Sequence, residues 1–157
     1  LGELGLLGIT VPEEYGGSGM DATAVAIVNE ELSYSDPGFC LAYLAHAQLM
    51  VNNLSHNGNA AQKSRILPKV CSGEWVGCMA MSEPGAGSSL SDLTTTAIPQ
   101  QDGTYRISGN KIWISGGLSI NKYEVYVRPI KYFLLNCKYG IVICSNLICF
   151  ILLGLHV

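Results

Sequence analysis

Apolar and polar positions along this 157-residue chain follow a helical rhythm as far as about residue 73 and a strand rhythm beyond it. Leu6-Leu7-Gly8-Ile9-Thr10-Val11 leads into Pro12-Glu13-Glu14-Tyr15-Gly16-Gly17-Ser18-Gly19, where proline and clustered glycines predict a loop. Asp21 stands where an N-cap belongs, and Val25, Val28 and Leu32 recur at helical spacing with Glu30 and Glu31 on the flank, predicting an amphipathic helix over 21–33. A second, largely buried helix is predicted over 39–55, with Leu41, Leu44, Ala45, Leu49 and Asn52 along one side and Asn57-Gly58 as a left-handed stop. Asn59 caps a third, short helix through Ile66, which Pro68 and Ser72-Gly73 should end.

From Trp75 the period shortens to two. Strands are predicted over 76–82, 93–98, 104–108, 111–115 and 123–127, with Gln101-Asp102-Gly103 and Gly109-Asn110 as hairpin turns. Alternation places Trp113 and Ser115 on one face of their strand, and Ile112 and Ile114 on the other. Helices followed by an antiparallel meander make the fold class α+β, with a boundary near Ser72-Gly73-Glu74.

Composition narrows the chemistry. A formal charge of −3, with nine scattered Lys and Arg residues, supplies no basic patch, so nucleic acid is excluded as a partner. The six cysteines lack CxxC spacing and read as reduced thiols rather than a disulfide or zinc framework. Residues 139–157 carry no Lys, Arg, Asp or Glu, but as a membrane span the tail is marginal in length and is broken by Ser145-Asn146.

Three features compete as sites. Gly17-Ser18-Gly19-Met20-Asp21-Ala22 satisfies GxGxxA, but a helix follows where a dinucleotide fold needs a strand, so it reads as a surface turn. Met79-Ala80-Met81-Ser82-Glu83-Pro84-Gly85-Ala86-Gly87-Ser88 makes the stronger case. An apolar strand stops at a loop whose glycines let backbone N–H groups converge and whose serines can bond an anion or a heterocycle edge. Trp113 and Ser115 add an aromatic plane beside a hydroxyl, a suitable wall for a ring-shaped ligand. Glu83, placed before Pro84, is assigned to turn geometry rather than proton transfer, and His46 and His56 lie at no metal-ligand spacing.

Met79–Ser88 together with Trp113-Ile114-Ser115 resembles the paired flavin-binding signature of acyl-CoA dehydrogenases. The likeness extends through Leu4–Gly19, Asn57–Lys63 and Leu67–Glu74, and is nearly continuous from residue 1 to Gly117. Ala45-His46-Ala47-Gln48-Leu49 and Met79–Pro84 look most like the isovaleryl-CoA branch, which handles short branched acyl thioesters.

The resemblance implies a partial N-terminal helical domain over 1–74 and part of an antiparallel β-barrel domain over 75–128, without the family's C-terminal helical domain. It implies FAD as cofactor, held by Met79, Ala80, Met81, Ser82, Glu83, Pro84, Gly85, Ala86, Gly87 and Ser88 with Trp113, Ile114 and Ser115; Ser88 also touches the acyl-CoA substrate. The family reaction removes the α-proton with a glutamate base while the β-hydride passes to flavin N5, giving a trans-2-enoyl-CoA. The cofactor does the electronic work and the protein orients and desolvates.

Electron-transfer flavoprotein would reoxidise the enzyme, and the parent would be a homotetramer. Its address would be the mitochondrial matrix in a eukaryote and the cytoplasm in a bacterium. The glutamate base is expected in the missing C-terminal domain, so the chain alone is expected to be inactive. Ser89 stands where relatives carry an acidic residue, and Ser115 where many carry threonine.

Residues 129–157, rich in Ile, Leu, Cys and Asn, are expected to be foreign to the fold, the translation of a retained intron or a frameshift. Transcript sequencing through one continuous spliced frame would refute that origin. The competing expectation is a non-catalytic flavin-binding or subunit-interaction fragment, membrane-associated through its apolar tail.

Overall fold

The computed structural model describes residues 1–101, 105–116, 122–129 and 140–144. The chain divides into two compact units, one formed chiefly by Leu1–Cys78 and the other by Met79–Ile114 with Lys122–Val157.

The first unit is helical. Helix α1 spans Ala22–Ser35, and Asp21 Oδ1 caps it as the sequence predicts, accepting from the N–H groups of Thr23 at 3.0 Å and Ala24 at 3.1 Å. The predicted second helix starts at Pro37, with Asp36 accepting from Phe39 N–H at 3.0 Å. Proline suits this first position because its missing N–H would have had no intrahelical partner. The run continues as α2 (Pro37–Leu44), a π-helical segment (Ala45–Val51) and α3 (Asn52–Asn57).

The predicted buried face is corrected in part: Cys40, Tyr43, Ala45, Ala47, Met50, Val51 and Leu54 are buried, while Leu41 and Leu49 are exposed, and the i→i+5 bonds of the π segment turn the helix surface beyond Leu44. The expected left-handed stop at Gly58 is also corrected: its φ of −70° and ψ of 150° are extended. Helix α4 spans Ala60–Ser72, opened by a reciprocal capping box in which Asn59 and Gln62 exchange bonds of 2.9 Å, and closed at Gly73 with φ 83°. It passes through Pro68 instead of ending there. Burial of Ile66, Leu67, Val70 and Cys71 outweighs the one backbone bond that proline removes.

The N-terminal segment is a knitted loop. Ser18 N–H donates to Gly8 C=O, Gly19 N–H to Val11 C=O and Met20 N–H to Ile9 C=O, all between 2.8 and 2.9 Å. Tyr43 Oη donates to Leu6 C=O at 2.7 Å, and Thr10 Oγ1 to Asn52 Oδ1 at 2.8 Å, so the loop is sewn to the helices. Ile9 and Val11 sit in the same apolar core as Met50, Leu54, Ile66 and Val70. No strand precedes α1 among the described residues, which removes the dinucleotide-fold reading of Gly17–Ala22.

The strands are β1 (Gly77–Ala80), β2 (Thr96–Pro99), β3 (Tyr105–Ser108), β4 (Lys122–Pro129) and β5 (Gly140–Cys144). Their order is β1-β4-β2-β3, with β5 on β4. Strand β2 pairs antiparallel with β3, Thr96 opposite Ser108, and β4 pairs antiparallel with β5, Tyr123 opposite Cys144. The α+β class stands, but the simple meander does not, because β2 and β4 run parallel with Thr96 opposite Arg128. A parallel pair cannot be joined by a tight turn, and here β3 intervenes in the chain between β2 and β4.

The predicted strand 111–115 is thereby replaced by irregular chain. Among the described residues no helix is long and apolar enough to cross a membrane, and most of the 139–157 tail lies outside them.

Candidate functional site

The Gly-rich loop leaves β1 and turns immediately. Glu83 N–H donates to Ala86 C=O at 2.9 Å and Ala86 N–H to Glu83 C=O at 3.1 Å, closing a tight turn with Pro84 and Gly85 at its tip. Proline fixes the first turn position, and the reciprocal bonds settle the backbone groups on either side. Ala80 and Ala86 are buried, Met79, Met81 and Ser82 are partly covered, and Pro84, Gly85, Gly87 and Ser88 face outward.

Gly85 and Gly87 have no heavy atom within 4 Å of where a Cβ would sit, and neither has a left-handed φ. Nothing inside the fold demands glycine at either position. Bare backbone facing open space fits close approach by an external group, as a cofactor's pyrophosphate would require.

Beneath the turn lies an ion pair that sequence reasoning missed. Lys111 Nζ stands 3.0 Å from Glu83 Oε1, with the two side chains 0% and 2% exposed, and donates also to Met81 C=O at 2.8 Å. Glu83 Oε2 accepts from Thr94 N–H and Thr94 Oγ1, each at 2.7 Å, and Oε1 accepts from Thr95 N–H at 2.9 Å. Burial alone would raise the carboxyl pKa, but the Thr94 and Thr95 donors outweigh it and hold the group at about 2. Burial lowers the Lys111 pKa, partly offset by Glu83. The Glu83 carboxylate therefore points inward, and its backbone N–H is spent on Ala86, so this predicted cofactor residue supports the turn rather than presenting a free donor.

Lys111 also delivers the second predicted motif. The next residue, Ile112, donates its N–H to Ser82 C=O at 3.0 Å, so the segment carrying Trp113 is bonded directly to the Gly-rich loop. Trp113 has φ 59° and is 87% exposed. A left-handed tryptophan costs about 1–3 kcal/mol, a cost that persists only when neighbours fix the backbone. The shared strand face predicted for Trp113 and Ser115 is corrected, since 111–114 has no strand geometry; Ile114 is partly covered and Ser115 is exposed in a turn. The structure thus joins the loop and the aromatic through Met81, Ser82, Lys111 and Ile112. The sequence hint was slight: a lysine two positions before an aromatic, and a glutamate in an apolar loop.

His46 lies apart, in the helical unit. It is buried, accepts at Nδ1 from Gly77 N–H at 3.0 Å and lies 3.0 Å from Val70 C=O through Nε2. An acceptor role at Nδ1 assigns the proton to Nε2, so the neutral ring bridges α4 and the start of β1. Burial lowers its pKa below 6.5. It fills the packed role that its spacing predicts.

The family pattern "Acyl-CoA dehydrogenase, N-terminal domain" matches residues 1–74, and "Acyl-CoA dehydrogenase, middle domain" matches residues 78–141. The mitochondrial isovaleryl-CoA dehydrogenase of Pongo abelii is 44% identical over 128 residues, covering 82% of this chain and 30% of that protein. The Arabidopsis thaliana enzyme of the same name is 45% identical, covering 82% of this chain and 31% of its own length. Among solved structures, an acyl-CoA dehydrogenase complexed with FAD from Bacillus anthracis superimposes with a TM-score of 0.82 at 34% identity, covering 92% of this chain and 24% of that one. The chain spans about a third of the length of the curated relatives it matches.

Proposed function

Because the chain belongs to the acyl-CoA dehydrogenase family, whose N-terminal and middle domains it carries, we propose that it supplies one wall of an FAD site in an enzyme oxidising short or branched acyl-CoA. The observation that carries this reading is the hydrogen bond from Ile112 to Ser82, which sets an exposed, left-handed Trp113 beside a loop with uncovered glycine backbone. FAD, when bound, would accept the hydride leaving the β-carbon as the α-proton is removed, giving a trans-2-enoyl-CoA.

The chain's own residues bind and orient. Gly85, Gly87 and Ser88 offer outward backbone to the pyrophosphate, Ala86 N–H being committed to Glu83. Ser82 bonds the edge of the isoalloxazine, Trp113 and Ser115 flank it, and Ser88 also meets the acyl-CoA. Glu83 is not the base: a carboxyl held at about 2, buried and paired with Lys111, accepts a proton poorly at neutral pH. The base comes from outside the described residues. Resemblance to mitochondrial isovaleryl-CoA dehydrogenases favours a branched substrate and, in a eukaryote, the matrix. Electron-transfer flavoprotein would take the electrons onward, from a tetrameric parent.

A second reading, a non-catalytic subunit-interaction piece, is favoured by α1. None of its residues is buried, and Ile27, Tyr34 and, in the next helix, Leu41 are 57%, 91% and 61% exposed. Purifying the 157-residue chain with excess FAD separates the readings. A retained flavin spectrum supports the cofactor site, bleaching by isovaleryl-CoA would show turnover as well, and a flavin-free, self-associating chain would favour the interaction piece.

A further inference from the structure

The ion pair beneath the Gly-rich turn does more than fill the core. It joins three stretches of chain at one point: Met81–Glu83, Thr94–Thr95 and Lys111. Each partner is satisfied by groups from a different stretch. Glu83 takes donors from Thr94 and Thr95, and Lys111 gives one of its protons to Met81 C=O. A structural pair could sit anywhere in the sheet; this one sits one residue from the bond that sets Ile112 on Ser82 and two from the only non-glycine residue with positive φ among those described.

The strain at Trp113 needs a fixed point close by in the chain. On one side the backbone is pinned by Ile112 N–H and the Lys111 side chain, and on the other the ring stands in the open. The Ile112–Ser82 bond fixes one point of the backbone, and the Lys111 side chain adds a second tie beside it. A buried ammonium that loses both Glu83 and Met81 would be left uncompensated, so the pair admits one register.

We propose that Lys111 and Glu83 are positioning residues for flavin binding, their buried pair setting the height of the Trp113 ring against the Gly-rich loop. The pair touches no reacting atom; it acts through the backbone of Ser82 and Ile112. This inference rests on the FAD reading above, but its geometric half concerns the chain without ligand.

The test uses the 157-residue chain carrying Trp75→Phe, so that Trp113 is the sole indole, and compares it with Lys111→Met, Glu83→Gln and the double variant in that background. The single variants are expected to lower stability, since each leaves an unpaired buried group; the double variant removes both charges together and should regain much of the loss. Time-resolved anisotropy of Trp113 in the flavin-free chain is expected to show faster ring motion in the double variant. Its FAD Kd is expected to rise about tenfold or more, with weaker quenching of flavin fluorescence.

A double variant that folds and keeps both the parental anisotropy and the parental FAD Kd overturns the proposal, since the pair would then serve stability alone. So does a double variant that fails to fold, because the pair would be a core requirement without a separable positioning role. If the parent chain binds no FAD, the cofactor reading fails while the anisotropy comparison still decides whether the pair sets Trp113.

Discussion

Replacing His46 by leucine removes a side chain that satisfies two main-chain groups at once. Gly77 N–H, 3.0 Å from Nδ1, and Val70 C=O, 3.0 Å from Nε2, both lie in the interior, where leucine supplies neither acceptor nor donor. Each unpaired buried group costs roughly 1–3 kcal/mol, and leucine's extra apolar burial returns part of that, so the loss should be about 2–4 kcal/mol. That is a large share of a small domain's stability.

The same geometry fixes a pH dependence. Protonating Nδ1 would set two N–H groups against each other, and burial already lowers the folded pKa below the 6.5 of the free side chain. The unfolded chain therefore binds the proton first as pH falls. The contribution of His46 is fully present above about 6.5 and is lost as pH falls through the lowered folded value. Urea unfolding followed by far-UV circular dichroism, at steps from pH 8 to pH 5, measures both effects. The His46→Leu midpoint should be lower at pH 8, and its gap to the parent should narrow toward pH 5. A variant as stable as the parent, or a gap independent of pH, would refute the bridging role.

Asp21→Ala should cost about 1 kcal/mol by freeing the Thr23 and Ala24 amides, read as a lower urea midpoint. Glycines should divide by what surrounds them. Gly17→Ala would drive a Cβ into Val11 C=O and should cost more than about 2 kcal/mol, whereas Gly85→Ala meets nothing within 4 Å and should stay within about 0.5 kcal/mol while weakening FAD retention. Glu83 is held at about 2 against 4.5 when free, so its contribution is present above 4.5 and lost as pH falls toward 2. The stability gap between parent and Glu83→Gln should shrink across that window in acid titrations followed by circular dichroism.

Local chemistry was the legible part of this chain. Asp21, Asn59 and Gly73 act where the sequence places them, because a cap needs only neighbours in sequence, and Gln62 completes the box at Asn59. The second helix was found with Ala45 buried as expected, but Leu41 and Leu49 face outward, and beyond Leu44 a π segment that no residue in Ala45–Val51 announces shifts the register. Pro68 was overruled by the apolar stripe around it, a tertiary effect that propensity does not contain.

In the candidate site, both motifs were visible as composition, and the bonds between them were not. The alternation of Lys111–Ser115 imitates a strand, yet Ile112 bonds a loop residue thirty positions earlier and Trp113 adopts a left-handed turn. A buried Lys–Glu pair leaves no periodic trace, since each partner alone reads as a surface charge.

Amide hydrogen exchange of the chain with and without FAD tests the central claim most directly. Added protection over 82–88 and 112–115, with 17–22 unchanged, is the pattern expected if the loop and Trp113 form the cofactor wall. Protection centred on 17–22, or none over 82–88 at saturating FAD, would contradict it.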